Sequence, residues 1–495
     1  MHHHYLACDL GAESGRLILG TLEDHRLTLE ELHRFPNGAV TEGGSLCWNL
    51  DRLKADLKAG LRRAAERQLP IASLSTDSWG VDYVLVNEAG EILKPTFHYR
   101  DARCQEGLKR AHARVSQESI FAETGIQFMA INTIFQLASE NPERLRGARH
   151  LLMIADVFNY LLSGTACVEV SNASTSQLYN PRTRSWSTAL IHALELPAHV
   201  FPPIVASGTR LGPLRPALAA ELGVPPFEII AGCSHDTGAA VVAVPASAEL
   251  SAATDSAPDW AYLSSGTWSL LGCELREPLV TDACRDANFT NEIGYGNSVR
   301  LLKNIAGLWL VQECRRAWKT EGKEYSYAEL VGLAETAVPF RSLVNPSDDR
   351  FLSPGDMPAK IAAFCVEHGF PEPRNPGETI RCCLESLALA YATNLRQLER
   401  LVGGSFRRLH IVGGGSQNDL LNRLTADACG VDVIAGPVEA TAAGNVLVQA
   451  MAQNHLPSLA SAREVIRQSF PMKRVVPGDS KPWQEPLRWY APFHR

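Results

Sequence analysis

No apolar run in this chain approaches the roughly 18 residues of a membrane-spanning helix. That absence removes the membrane as a partner. The opening stretch "YLACDLG" is cut by Asp9 before a secretory leader could build its apolar core, so a cytoplasmic protein is expected. Lys and Arg are scattered and the net charge is −7, which leaves no basic face for nucleic acid. There is no C-x-x-C pair and no Cys/His set at zinc-ligand spacing, so the 12 cysteines are expected as reduced, buried thiols. Cys8, Cys233 and Cys273 lie in apolar, strand-like segments, while a bridge from Cys365 to Cys382 or Cys383 stays open. The common phosphate cradles are missing too. No G-x-x-x-x-G-K-[ST] occurs, and no G-x-G-x-x-G lies between a strand and a helix. A P-loop nucleotidase and a dinucleotide-dependent oxidoreductase are both disfavoured; a nucleotide, if bound, is held some other way.

The 495 residues, 45% hydrophobic and 20% charged, suffice for two domains with their own cores. The first segment, "YLACDLGAESGRLILGTLEDHRLTLEELHRF", alternates apolar strands with turns and predicts a β-meander. A helix is expected around "LDRLKADLKAGLRRAAERQ", then a strand, "IASLSTDSWG", then a hairpin turning at Asn87 to Gly90. The tract 246–260, "ASAELSAATDSAPDW", reads as a linker or insertion between a domain 1–245 and a domain 261–495. Beyond it "AYLSSGTWSLLG" repeats the opening in outline: apolar strand, turn of small residues, second apolar strand. Later a strongly periodic helix, "LESLALAYATNLRQLERLV", leads into a strand, the glycines 413 to 415, and another helix. The run His2 to His4 is assigned no role.

Four places carry candidate chemistry. In "AGCSHDTGAAVVAV" an apolar strand is expected to end at Ser234 and a helix to follow, which puts Asp236 at a strand-to-helix junction. The plain alternative is a helix cap by Asp236 or Thr237. In "DLGAESGR" small residues let backbone amides approach an anion, Ser14 and Arg16 add donors, and Asp9 suits a hydrated magnesium ion. An ordinary hairpin turn has the same composition. The turn "SSGTW" and the glycine cluster repeat the theme. Trp79 and Gly80 in "TDSWGVD" suit a sugar ring, an aromatic beside closely approachable backbone, although a Trp is as often simply buried. Asp77 and Asp82 would alternatively form the carboxylate pair of a glycoside hydrolase.

Taken together, these loops resemble the FGGY family of carbohydrate kinases. "DLGAESGR", "TDSWGVDYVLV", "YRDAR", "GIQFMAINTIFQL", "SHDT", "AYLSSGTWSLLG", "LLKNIAGLWLVQ", "NPSDDRF", "LHIVGGGSQNDLLN" and "VIAGPVEATAAGN" carry the resemblance over about nine-tenths of the chain. It implies an α/β fold of two duplicated actin-like, ribonuclease-H-like domains with a cleft that closes on its ligands. It also implies transfer of the γ-phosphoryl of ATP, with Mg2+, to the 1-hydroxyl of a small-molecule sugar, L-rhamnulose. By the same resemblance Asp236 is the catalytic base; Gly80, His235, Asp236 and Thr237, with Trp79 beside them, contact the sugar. Ala12, Glu13, Ser14, Gly15 and Arg16 line the ATP phosphates, and Asp9 lies near the metal through water. Thr267, Asn304, Gln312, Gly414 and Asn418 line the nucleotide from the C-terminal domain. Two departures stand out: Glu13 replaces a small hydroxyl residue, and the tract 246–258 is long. The competing readings are a kinase of another ketose such as L-fuculose or L-xylulose, and a non-catalytic, ATP-gated sugar sensor of the same fold. A two-carboxylate hydrolase is the third.

Overall fold

The computed structural model describes residues 2–246 and 258–494. Most of the tract read as an insertion, residues 247–257, lies outside the described residues. Contacts divide the chain into two compact units that are not contiguous in sequence. The first comprises residues 1–250, 275–301 and 440–470, the second 251–274, 302–439 and 471–495.

The first unit is built on β1 (His2–Leu10), β2 (Ser14–Glu23), β3 (Arg26–Pro36), helix α1 (Leu50–Glu66), β4 (Ile71–Ser78), β5 (Thr209–Pro213), β6 (Glu228–Ala231) and α2 (Asp236–Val242). The order across the sheet is β3-β2-β1-β4-β6-β5. The β1-β2-β3 meander is antiparallel, β4 and β6 run parallel to β1, and β5 returns antiparallel. Helix α1 shows why the sequence packs here. Leu50, Leu53, Leu57, Leu61 and Ala64, three or four apart, form one buried face, and Asn49 caps the start by accepting from the Arg52 amide at 3.0 Å. The expected hairpin is present as Tyr83–Val86 paired with Ile92–Leu93. The helix Ala440–Ala452 packs against α2, and there Gly444 is indispensable: a Cβ on it would lie 1.8 Å from the carbonyl oxygen of Ala239.

The second unit contains β7 (Trp260–Ser265), β8 (Trp268–Leu275), the later half of β9 (Val299–Ala306), α3 (Trp309–Thr320), the long helix α4 (Pro376–Val402), β10 (Arg408–Val412), α5 (Asp419–Cys429), β11 (Asp432–Ala435) and β12 (Lys473–Val475). The order is β9-β8-β7-β10-β11-β12. Again a hairpin is antiparallel, the next two strands are parallel, and the last is antiparallel. The weak internal repeat in the sequence is therefore a repeat of topology.

All 12 cysteines are free thiols, 11 of them buried; Cys365 is bridged to neither Cys382 nor Cys383, and its Sγ donates to the Leu343 carbonyl at 3.7 Å. Among the described residues no helix is long and apolar enough to cross a membrane.

Candidate active site

In the first unit three carboxylates converge near the ends of β1, β4 and β6. Asp9 stands opposite Arg16 in the β1/β2 register and opposite Asp77 in the β1/β4 register. Arg16 donates to Asp9 Oδ2 at 2.5 Å. Asp77 is fully buried; its Oδ2 accepts from Asn445 Nδ2 at 2.5 Å, and its Oδ1 has no hydrogen-bond partner. Burial first, and the facing charge of Asp9 second, push the Asp77 carboxyl well above the usual carboxylate range.

Asp236 follows on a segment held by side chains. The strand read as ending at Ser234 ends at Ala231, because the next amides leave the ladder. Gly232 N donates to Ser75 Oγ at 3.0 Å, Ser234 N to Glu169 Oε2 at 2.9 Å and His235 N to Ser171 Oγ at 3.1 Å. Glu169 also accepts from the hydroxyls of Ser171, Ser207 and Ser234. His235 is the cap position and Asp236 the first helical residue of α2. The Asp236 side chain is 32% exposed. Its two oxygens differ: Oδ1 accepts from Thr237 N at 2.5 Å and Thr237 Oγ1 at 3.2 Å, and lies 3.4 Å from His235 Nε2. Oδ2 receives none of these bonds. Desolvation raises the Asp236 pKa, opposed by His235 and aided by Asp9, which moves the carboxylate toward the range of a useful base.

The "TDSWGVD" stretch turns out otherwise than a sugar-stacking loop. Trp79 is buried, and its indole N–H donates to Asp82 Oδ2 at 2.9 Å, alongside that of Trp48 at 2.6 Å. Asp82 Oδ1 accepts from Gln136 at 2.9 Å, and burial raises the Asp82 pKa to about 6. Asp82 is thus consumed by structural donors, while Asp77 faces Asp9. The two do not form a hydrolase pair. Gly80 packs closely on Thr175, whose side chain would have to give way to a Cβ at 3.0 Å. Val81 beside it has φ +66°, a strained conformation for a β-branched residue. Its amide donates to Thr175 Oγ1 at 3.0 Å and its carbonyl accepts from Thr133 Oγ1 at 2.6 Å.

In the first turn Ala12 and Ser14 are partly exposed and Glu13 is exposed, while Gly15 is buried against Phe35, whose ring a Cβ would meet at 2.2 Å.

The second unit brings together its own candidates. The β7/β8 turn is closed by Gly266 N donating to the Trp268 carbonyl at 2.9 Å, and the Thr267 carbonyl accepts from Gly307 N and Trp309 N, each at 3.2 Å. The start of α3 is therefore tied to the turn. Gly415 packs under the same turn, where a Cβ would meet Ser265 Oγ at 2.0 Å; Gly414 is exposed with nothing near its Cβ position. The glycine cluster is a short 3-10 turn, Gly414–Gln417, and not the first turn of the helix. Asn418 caps α5 by accepting from Leu421 N at 3.0 Å. Gln312, on α3, has a buried Oε1 without a hydrogen-bond partner, and Asn304 is half-buried on β9.

Several positioning groups escaped the sequence reading: Glu169, Asn445, Thr175, Glu292 and Arg300. The available signal was a lone charge inside an apolar run, as in "CVEV", "TNEI" and "SVRLL".

A duplicated α/β unit with a half-exposed carboxylate beside a hairpin turn is the frame of an actin-like sugar kinase. The model of the FGGY family's N-terminal domain matches residues 4–243 and that of its C-terminal domain residues 261–453. The chain belongs to the FGGY family of carbohydrate kinases. It is 40% identical over 486 residues, 98% of each chain, to the rhamnulokinase of Bacteroides thetaiotaomicron, and 37% identical over 475 residues, 96% of each, to that of Bacillus subtilis. Among solved structures, xylulose kinase from Lactobacillus acidophilus matches with a TM-score of 0.78 at 14% identity, covering 99% of this chain and 97% of that one. Plasmodium falciparum glycerol kinase with ADP matches with a TM-score of 0.76 at 15% identity over the same shares. At such identities the likeness establishes the fold.

Proposed function

We propose that this chain transfers the γ-phosphoryl of ATP to the 1-hydroxyl of L-rhamnulose in the cytoplasm, giving L-rhamnulose 1-phosphate and ADP. The observation that carries the reading is near-full-length identity of about 40% to rhamnulokinases, joined to a carboxylate, Asp236, whose Oδ2 is left for a substrate. As the hydroxyl oxygen bonds to the γ-phosphorus, its proton passes to Asp236 Oδ2 and the bond to the β,γ-bridging oxygen breaks, releasing ADP. The loose transition state of phosphoryl transfer asks mainly for positioning and charge neutralisation, so one well-placed base is sufficient. Ala12 to Arg16 face the ATP phosphates in this reading, with Arg16 as the fixed cation. Thr267, Asn304, Gln312 and Gly414 line the nucleotide, and Asn418 orders the turn that follows Gly414. Gly80 and Thr237 face the sugar. Trp79 shapes the site through Asp82.

The residues fit a hydrated magnesium ion beside Asp9. Asp77 Oδ1 is buried without a partner, and Asp9, opposite Asp77 in the sheet, accepts from the Arg16 guanidinium. Among the described residues no three His, Cys, Asp or Glu side chains are placed to hold a metal ion directly. Bound there, magnesium would neutralise phosphate charge.

The test is ADP release with ATP and magnesium across L-rhamnulose, L-fuculose, L-xylulose, D-xylulose and glycerol. Clear preference for L-rhamnulose is expected; equal rates on L-fuculose would give the other-ketose reading. ATP binding without ADP release on any sugar would favour the sensor.

A further inference from the structure

Behind His235 lies a buried charge pair. Arg300 is fully buried, and its Nε and Nη2 both donate to the Ile293 carbonyl at 3.2 Å, which fixes the plane of the guanidinium. The other Nη2 hydrogen faces His235 Nδ1 at 3.1 Å. Glu292 Oε2 lies 3.2 Å from Arg300 Nη2 and 3.2 Å from His235 Nδ1, so it balances the guanidinium charge. An arginine only donates. Accepting that hydrogen occupies the Nδ1 lone pair, and the proton of a neutral ring then sits on Nε2. That nitrogen lies 3.4 Å from Asp236 Oδ1, a spacing of the kind that shortens when a catalytic site is filled. The opposite tautomer would offer an Nδ1 proton to Glu292 Oε2, 3.2 Å away, but would set it against the guanidinium donor.

We infer that Arg300 is a positioning residue for phosphoryl transfer: it locks His235 in the Nε2–H tautomer, which holds Asp236 Oδ1 and reserves Oδ2 for the substrate hydroxyl. This rests on Asp236 being the base. Arg300 itself touches no substrate. The logic is that of a catalytic histidine whose tautomer is set by a buried partner; here an arginine donor and the Glu292 carboxylate both stand at Nδ1, and the arginine's hydrogen puts the ring proton on the nitrogen facing the active carboxylate.

Full-length protein labelled with 15N-histidine reads the tautomer directly, His235 being assigned by its loss in His235→Gln. The wild type should show a pyrrole-type Nε2 and a pyridine-type Nδ1. Arg300→Met should mix the tautomers and lower kcat roughly ten- to hundredfold, with the sugar KM little changed. Since Arg300→Met removes the guanidinium that balances the Glu292 charge, Arg300→Met/Glu292→Gln repeats the test with both charges removed. His235→Gln, whose amide hydrogens can replace Nε2–H, should keep well above the kcat of His235→Leu. A pyrrole-type Nδ1 in the wild type overturns the inference, as does an unaltered tautomer with wild-type kcat in the double variant, or equal kcat for His235→Gln and His235→Leu. A wild type that releases no ADP with any ketose would instead strike the reading of Asp236, and the tautomer measurement, which needs no turnover, would separate the two failures.

Discussion

One rung from the hairpin turn, the first unit pairs Asp9 with Arg16, whereas the second pairs Ser264 with Leu270. The neighbouring parallel strand supplies Asp77 to the first rung and Val412 to the second. The same strand order therefore carries charge in one copy and hydroxyl, apolar and glycine surface in the other. A sheet scaffold fixes where a side chain can stand; the residue at that position fixes what the site does. In the first unit, burial above all, with the charge of Asp9 added, pushes the carboxyls of Asp77 and Asp236 up. In the second, Gly266, Gly307 and Gly415 bring backbone close to backbone, a geometry suited to a nucleotide.

The comparison breaks most sharply at Asp236. Asp236→Asn should lose roughly 10²–10⁴-fold in kcat while isothermal calorimetry still detects sugar binding; turnover near wild type would remove Asp236 from the chemistry. Asp9→Ser, which gives the first unit the residue type of the second, should cost at least about tenfold in kcat, in line with loss of an outer-shell group at a metal, and should weaken dependence on magnesium in a titration of rate against the ion. In the second unit Gly415→Ala drives a Cβ into Ser265, and overpacking of about 1–3 kcal/mol should raise the KM for ATP severalfold. Gly414→Ala, whose Cβ meets no protein atom, should leave the melting temperature unchanged and raise that KM only through crowding of the nucleotide itself. The remaining effect is on stability against pH. Asp82 titrates near 6 when folded against an ordinary value of 3.8, so the native state holds its proton longer than the unfolded chain does. Its contribution is most favourable below about pH 4 and is lost, by roughly 3 kcal/mol, as pH rises to about 6. Asp82→Asn should flatten that slope in melting curves recorded from pH 4 to 7.

Much of this frame could be read from the sequence. The meander, α1, the Asn87 hairpin and the internal repeat follow from period-2 and period-3.6 patterns, which report local burial. The junction at Asp236 was legible because an apolar strand, a polar break and a small-residue helix adjoin in the chain. Trp79 was read as a sugar platform, and nothing local could show that Asp82, three residues on, claims its indole N–H. The end of β6 was placed three residues late because Glu169, Ser75 and Ser171, distant in sequence, take the amides that a strand would have paired. Arg300 was invisible for the same reason: its partners His235 and Glu292 arrive from separate segments, and only tertiary packing joins them.

Glu169 has a dynamic consequence. The amide of Ser234 and the hydroxyls of Ser171, Ser207 and Ser234 all end on its carboxylate, and the amides of Gly232 and His235 end on neighbouring serines. No backbone ladder protects these amides, yet none can open without breaking a buried side-chain network. In hydrogen exchange the loop before Asp236 should therefore be as slow as the strands around it, opening with the sheet as a single cooperative unit and not as a loop.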